Sequence, residues 1–374
     1  MTIRDMMSCC VVRRYSFNLL LSPMLVKLNS IILYMVITFC VALVVYPFYI
    51  RFLHRLKAWK TIRDHDVMGQ KASIFQSLHG HKAWTPTMGG GIFLVIVLLM
   101  IIWSFVIQYM GYTNNTLRNR EETYILLFGF FSMGIIGLID DILNIRDRWR
   151  VKWLSAWAKM LGMTVFASFI TYRFYVKLGV DRVILWPWSD MLHLWWLFIP
   201  CSFFLTLFIT HAINITDGLD GLAGGMMAIV LSIIAVVMFT LKIYIATTLV
   251  GVIISILIAF LRFNINPAKI FMGDSGAFSL GGLISVAILL LNMRVGIMIP
   301  FIVLFAPFII ELLSSFLQIL SKKYLHRKLF PIAPIHHLCE YYGMKEYTVV
   351  MKFRLIQWIL GLVTLIMIFY ALKI

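Results

Sequence analysis

Hydrophobic residues run along this chain in long blocks rather than in alternation. Ten stretches reach the roughly 18 predominantly apolar positions that a membrane crossing needs. They lie at about 31–50, 88–110, 123–141, 153–172, 191–211, 222–240, 244–262, 276–292, 296–320 and 353–372. Hydrocarbon offers no partner for backbone N–H and C=O groups, so such blocks must fold as helices. The short alternating strands of a membrane barrel are not expected. The predicted architecture is all-α and polytopic, with about ten transmembrane helices in a single membrane domain over 31–374. Residues 1–30 form an N-terminal extension. Arg13 and Arg14 precede only a short apolar patch without a small-residue cleavage pattern, so this extension is not read as a removable signal.

Composition agrees with the pattern: 61% of the 374 residues are hydrophobic and 13% are charged. An even number of spans puts both termini on one side, and Lys and Arg in the joints select the side. One set of joints (51–87, 142–152, 212–221, 263–275, 321–352) holds 18 basic residues, and the other set with both tails holds 12. The first set is therefore predicted to be cytoplasmic, with both termini and the 1–30 extension extracytoplasmic. The net charge of +17 suits contact with anionic lipid or an anionic substrate. The basic residues are scattered through membrane joints, which argues against nucleic acid as a partner. Five cysteines, odd in number and without metal spacing, predict neither a disulfide framework nor a zinc site.

With only 16 Asp and Glu in the chain, their positions carry information. Asp140 and Asp141 end the third span in GLIDDIL, with Asp147 shortly after. Asp217 and Asp220 lie in NITDGLDGL between the fifth and sixth spans, and Asp274 opens the eighth in FMGDSGAFSLGG. Alternation of the spans brings all of these to one membrane face. Each has an ordinary explanation: Asp274 or Ser275 as a helix cap, the Asp pair as a solvated boundary, the third group as a polar loop. The joint 212–221 nonetheless contains no Lys or Arg, and carboxylates near the membrane need partners. Converging carboxylates with few balancing lysines call for a cation. Oxygen ligands with water and phosphates suit Mg²⁺, which would neutralise a diphosphate while a phosphoryl bond breaks. Adjacent helical residues point about 100° apart, so only one of Asp140 and Asp141 aims at a given centre. Asp217 and Asp220 share a face if their segment is helical.

In the last predicted cytoplasmic joint, His336 and His337 follow Pro331 and Pro334, and such histidines can donate to phosphate. Lys159, about two turns inside the fourth span, is expected to snorkel to the interface. Glu311, within the ninth, is expected to line the interior. The glycine pairs near several helix starts are expected to serve close packing.

The segments WTPTMGGGIF (84–93), GLIDDIL (137–143), NITDGLDGLAGG (214–225), FNINPAKIFMGDSGAFSLGG (263–282) and APIHH (333–337) occur in that order. Together they resemble the phospho-N-acetylmuramoyl-pentapeptide transferases, within the polyprenyl-phosphate N-acetylhexosamine-1-phosphate transferase superfamily, over roughly 31–372. The resemblance implies a Mg²⁺-dependent catalytic domain of ten helices in the bacterial cytoplasmic (inner) membrane, its cleft facing the cytoplasm. It implies transfer of phospho-N-acetylmuramoyl-pentapeptide from UDP-MurNAc-pentapeptide to undecaprenyl phosphate, with UMP and lipid I as products. It implies Asp274 as the metal ligand and Asp140 as base or attacking carboxylate, with Asp141 beside it. Asp217 is implied at the diphosphate, and His336 and His337 on the phosphate or sugar side. Asn214, Gly218, Leu219, Asp220, Asn264 and Phe271 are implied around the nucleotide, with Phe271 stacking on uracil; Thr85 and Lys152 are implied as further substrate contacts. A homodimer is a further expectation of the same kind. The chain departs from the family at Leu338 (usually a third histidine), at His211 (usually Asn), at Asn144 (often Lys) and through Lys60–Ala83. A sugar-phosphate transferase acting on UDP-N-acetylglucosamine is the nearest alternative. A transporter is a more distant one, because the acids gather at one face and no internal repeat is visible.

Overall fold

A computed structural model describes residues 3–59, 84–111, 117, 121–145, 152–184, 191–296 and 298–373, with 3–23, 152–156, 184 and 191 described by backbone alone. The loop Lys60–Ala83, Asp147 and the side chain of Lys152 lie outside this description. The chain is an all-α polytopic membrane protein. Its helices are α1 (Ile3–Arg55), α2 (Gly91–Tyr109), α3 (Glu121–Ile145), α4 (Lys152–Tyr172), α5 (Phe198–Thr216), α6 (Leu222–Thr240), α7 (Tyr244–Asn264), α8 (Gly273–Val295), α9 (Ile299–Tyr324), the short α10 (Ile335–Tyr341) and α11 (Glu346–Leu372). Each predicted span coincides with one of the ten long helices. Among the described residues nine are long and apolar enough to cross a membrane; α4, with side chains described only from Trp157 onward, is the tenth long helix.

Several boundaries differ from the hydropathy reading. Helix α1 begins at Ile3 and continues without a break through the first predicted span. The fifth span starts seven residues late: Met191–His193 (β2) instead pairs antiparallel with Arg182–Ile184 (β1), and Trp195–Leu197 makes one 3-10 turn. Apolar content alone cannot separate a strand such as Met191–His193 from the start of a helix of similar hydropathy. At its other end α5 runs on to Thr216, because nothing in His211–Thr216 breaks a helix.

Helix α8 organises the bundle. Every residue from Asp274 to Asn292 is buried, as expected for a helix apolar on all sides. It packs most extensively against α3 and then α5. The contact with α3 is close because a Cβ at Gly137 would collide with the Asp274 backbone. The start of α8 is also tied to the start of α2. Phe271 N donates to Pro86 O, Gly89 N to Phe271 O and Gly90 N to Met272 O, each at 2.8 Å. A Cβ on Gly90 would overlap the backbone of Gly276. The TPTMGGG and IFMGDSG segments thus form one unit that holds the first turn of α8 in place.

Candidate active site

Three helix ends meet at this first turn. Asp140 and Asp141 arrive on the last two turns of α3, and Asn214 on the last turn of α5. The two neighbouring aspartates part ways, as the 100° step requires. Asp141 accepts from the backbone N–H groups of Asp274 (3.0 Å) and Ser275 (2.9 Å). It therefore caps α8 from another helix and sets the direction of Asp274. The cap expected from Asp274 or Ser275 is supplied by Asp141, which accepts from the backbone N–H of both residues. Gly273, at φ +74, brings the backbone past Asp141 in a conformation that favours glycine.

Asp140 turns the other way, toward Lys159 on α4. The Lys159 ammonium lies 2.9 Å from Asp140 Oδ2 and 2.5 Å from Asp274 Oδ2, and 4.8 Å from the centre of the Phe278 ring. Asn144 Nδ2 donates to Asp140 Oδ2 and Asn214 Nδ2 to Asp274 Oδ1, both at 2.9 Å. The expectation that Lys159 snorkels is overturned. Two buried carboxylates in reach outweigh the interface for its charge, and their mutual repulsion is relieved by a cation between them. Asn144, a departure from the family pattern, is used as a donor to Asp140.

Asp217 and Asp220 are not on one helical face. Asp217 is the residue that ends α5, and its φ/ψ of −77/47 leaves the helix. Asp220 is buried in the following turn, where Oδ2 accepts from Ala268 N and Asn266 Nδ2, both at 3.0 Å. Its backbone N–H donates to Glu346 Oε1 at 2.7 Å. Asn264 is buried too and its Nδ2 donates to Ile270 O at 2.8 Å. Asp220 and Asn264 therefore shape the 264–272 loop, in which Phe271 is half-buried. The Leu219 side chain packs into the hydrophobic core. Thr85 is half-buried between exposed Trp84 and buried Pro86.

The histidines stand on a short helix rather than in an open loop. Both are buried and their rings lie 4.3 Å apart. His337 Nδ1 is 2.8 Å from Glu340 Oε2 and His336 Nδ1 is 2.9 Å from Glu311 Oε2. Both Nε2 atoms approach Gly218, where a Cβ would collide with His336 Nε2. The glycine after Asp217 is thus the gap into which the imidazoles fit. Glu311 fulfils the expectation that it lines the interior. The residue the sequence reading underrated is Lys159; a lysine two turns inside a span, near an Asp pair on the preceding helix, was the available signal.

A profile of the family described as "Glycosyl transferase family 4" matches residues 123–292, the segment from α3 through α8. Curated relatives match almost the whole chain. A "Phospho-N-acetylmuramoyl-pentapeptide-transferase" of Clostridium botulinum (strain Eklund 17B / Type B) is 34% identical over 325 residues, 87% of this chain and 92% of the relative. One of the same name from Clostridium acetobutylicum is 33% identical over 342 residues, 89% and 98% of the two chains. One from Oceanobacillus iheyensis is 30% identical over 338 residues, 90% and 95%.

Proposed function

The chain belongs to the phospho-N-acetylmuramoyl-pentapeptide transferase family, and we propose that it transfers phospho-N-acetylmuramoyl-pentapeptide from UDP-MurNAc-pentapeptide to undecaprenyl phosphate. A terminal oxygen of the lipid phosphate bonds to the sugar-side phosphorus. That phosphorus releases the oxygen bridging it to the uridylate, so UMP leaves and lipid I remains. The observation that carries this reading is the convergence of Asp140, Asp274 and Asn214, from three helices, on a point that already accepts a cationic group.

The same donor set fits a hard divalent ion. Asp274 and Asp140 offer carboxylate oxygens, the ligands Mg²⁺ prefers alongside water and phosphate oxygens. Among the described residues no group of three or more His, Cys, Asp and Glu could hold a metal by itself, so Mg²⁺ here would complete its shell from water and substrate. When bound, the ion would neutralise charge on the diphosphate. The remaining roles belong to the chain. Asp141 holds the first turn of α8 and thereby aims Asp274. Asp140 is the base for the acceptor phosphate, and Lys159 is within reach of the same phosphates. Asp217, with His336 and His337 across Gly218, addresses the diphosphate. Phe271 would offer a stacking face for uracil, with Asn214, Gly218, Leu219, Asp220 and Asn264 around the nucleotide and Thr85 as a further contact; Lys152 is assigned to the substrate on the family resemblance alone. The cleft opens to the cytoplasm of a bacterial inner membrane, the side on which the basic joints were predicted.

The test is UMP release by purified protein given both substrates, with Mg²⁺ and with EDTA. Release that needs Mg²⁺ and the lipid phosphate is expected. No release from UDP-MurNAc-pentapeptide, or faster release from UDP-N-acetylglucosamine, would overturn the assignment.

A further inference from the structure

Glu311 is a carboxylate enclosed among membrane helices, with no role in the chemistry above. It sits in α9, fully buried, and such a group needs strong partners to remain there. Both of its oxygens turn to one residue. Oε1 accepts from the His336 backbone N–H at 3.1 Å, and Oε2 lies 2.9 Å from His336 Nδ1. An ionised carboxylate only accepts hydrogen bonds, so Nδ1 must carry the hydrogen. The tautomer and the ring plane of His336 are then fixed from behind.

The consequence lies at the other nitrogen. His336 Nε2 is buried and has no hydrogen-bond partner among the described residues. It faces Gly218, one residue beyond Asp217. An unsatisfied buried polar atom is disfavoured, and a ring held this firmly cannot turn away to relieve it. Such an atom is explained if a partner is delivered to it. A phosphate oxygen entering beside Asp217 would accept from Nε2–H, and the Glu311 charge would offset the imidazolium that this donation requires.

We infer that Glu311 is a positioning residue for the transfer reaction, acting through His336 to present Nε2 to a phosphate oxygen of the diphosphate substrate. This rests on the proposed activity. Glutamine at 311 has one acceptor oxygen where the site uses two, and it cannot offset a charged ring. Aspartate keeps both oxygens on a shorter stem.

The experiment measures UMP release by wild type, E311Q, E311D, H336Q and the E311Q/H336Q double variant, with thermal melting of each. Expected is a loss of at least tenfold in kcat for E311Q with KM for UDP-MurNAc-pentapeptide within threefold. E311D should recover part of that loss, and the double variant should be no slower than H336Q. A wild-type kcat in E311Q, or losses that multiply in the double variant, would overturn the inference while leaving the activity intact. If E311Q does not survive purification, the same cycle is run with E311D and H336Q, and multiplying losses again overturn it. A wild-type protein that releases no UMP would remove the proposed activity and this inference with it.

Discussion

Replacing Lys159 with methionine removes the cation between Asp140 and Asp274 while keeping a long apolar stem against Phe278. The sulfur can still contact that ring favourably. What is lost is electrostatic. The Asp140 and Asp274 side chains are 6% and 11% exposed, and the Lys159 side chain, whose ammonium lies at 2.9 and 2.5 Å, is 22% exposed. Removing one partner from a buried ion pair is destabilising by about 3–5 kcal/mol. The partial exposure of Lys159 favours the lower end, about 3 kcal/mol. Unfolding entropy of about 2.1 cal/mol/K per residue gives about 0.8 kcal/mol/K for a chain of 374 residues, so Tm should fall by about 4 °C. The assay is thermal melting of K159M and wild type in detergent at neutral pH, in EDTA and in millimolar Mg²⁺. In EDTA the variant should melt lower; in Mg²⁺ the gap should narrow, because a divalent ion can take the place of the ammonium. Equal melting temperatures in EDTA would show that the carboxylates are not held together by this lysine. An unchanged gap in Mg²⁺ would show that the ion does not bind where they converge.

Gly218→Ala places a methyl group where His336 Nε2 lies, so kcat for UMP release should fall at least tenfold while the melting temperature moves by only a degree or two. Gly137→Val drives α3 away from the Asp274 backbone; overpacking of this kind is destabilising by about 1–3 kcal/mol, and Mn²⁺ binding followed by electron paramagnetic resonance should weaken with it. Asp274→Asn should abolish Mg²⁺-dependent turnover; Asp141 still holds the backbone of residue 274, but Lys159 loses one of its two carboxylates, so the melting temperature in EDTA should fall as well, and full activity at ordinary Mg²⁺ would contradict the ligand assignment.

Hydropathy blocks were sufficient to identify the membrane helices, since in hydrocarbon an apolar segment satisfies its backbone only by coiling on itself. Alternation of those helices then placed Asp140, Asp217, Asp274 and the histidines toward one face without any knowledge of packing. The motifs were legible for the same reason: they sit at helix ends, where chain direction and side are set by counting spans. Which atom meets which was decided by tertiary structure. The division of labour between Asp140 and Asp141, the bridge through Lys159 and the lock of Glu311 on His336 depend on how each helix is rotated about its own axis. That rotation comes from contacts between segments far apart in the chain, such as Gly137 against Asp274 and Gly90 against Gly276. Hydropathy averages over a helix face and carries no record of it. The hairpin of β1 and β2, and the turn that ends α5 at Asp217 and carries Asp220 to the 264–272 loop, escaped for a related reason. Short segments adopt whichever backbone their neighbours can complete with hydrogen bonds, and those neighbours are supplied only by the folded chain.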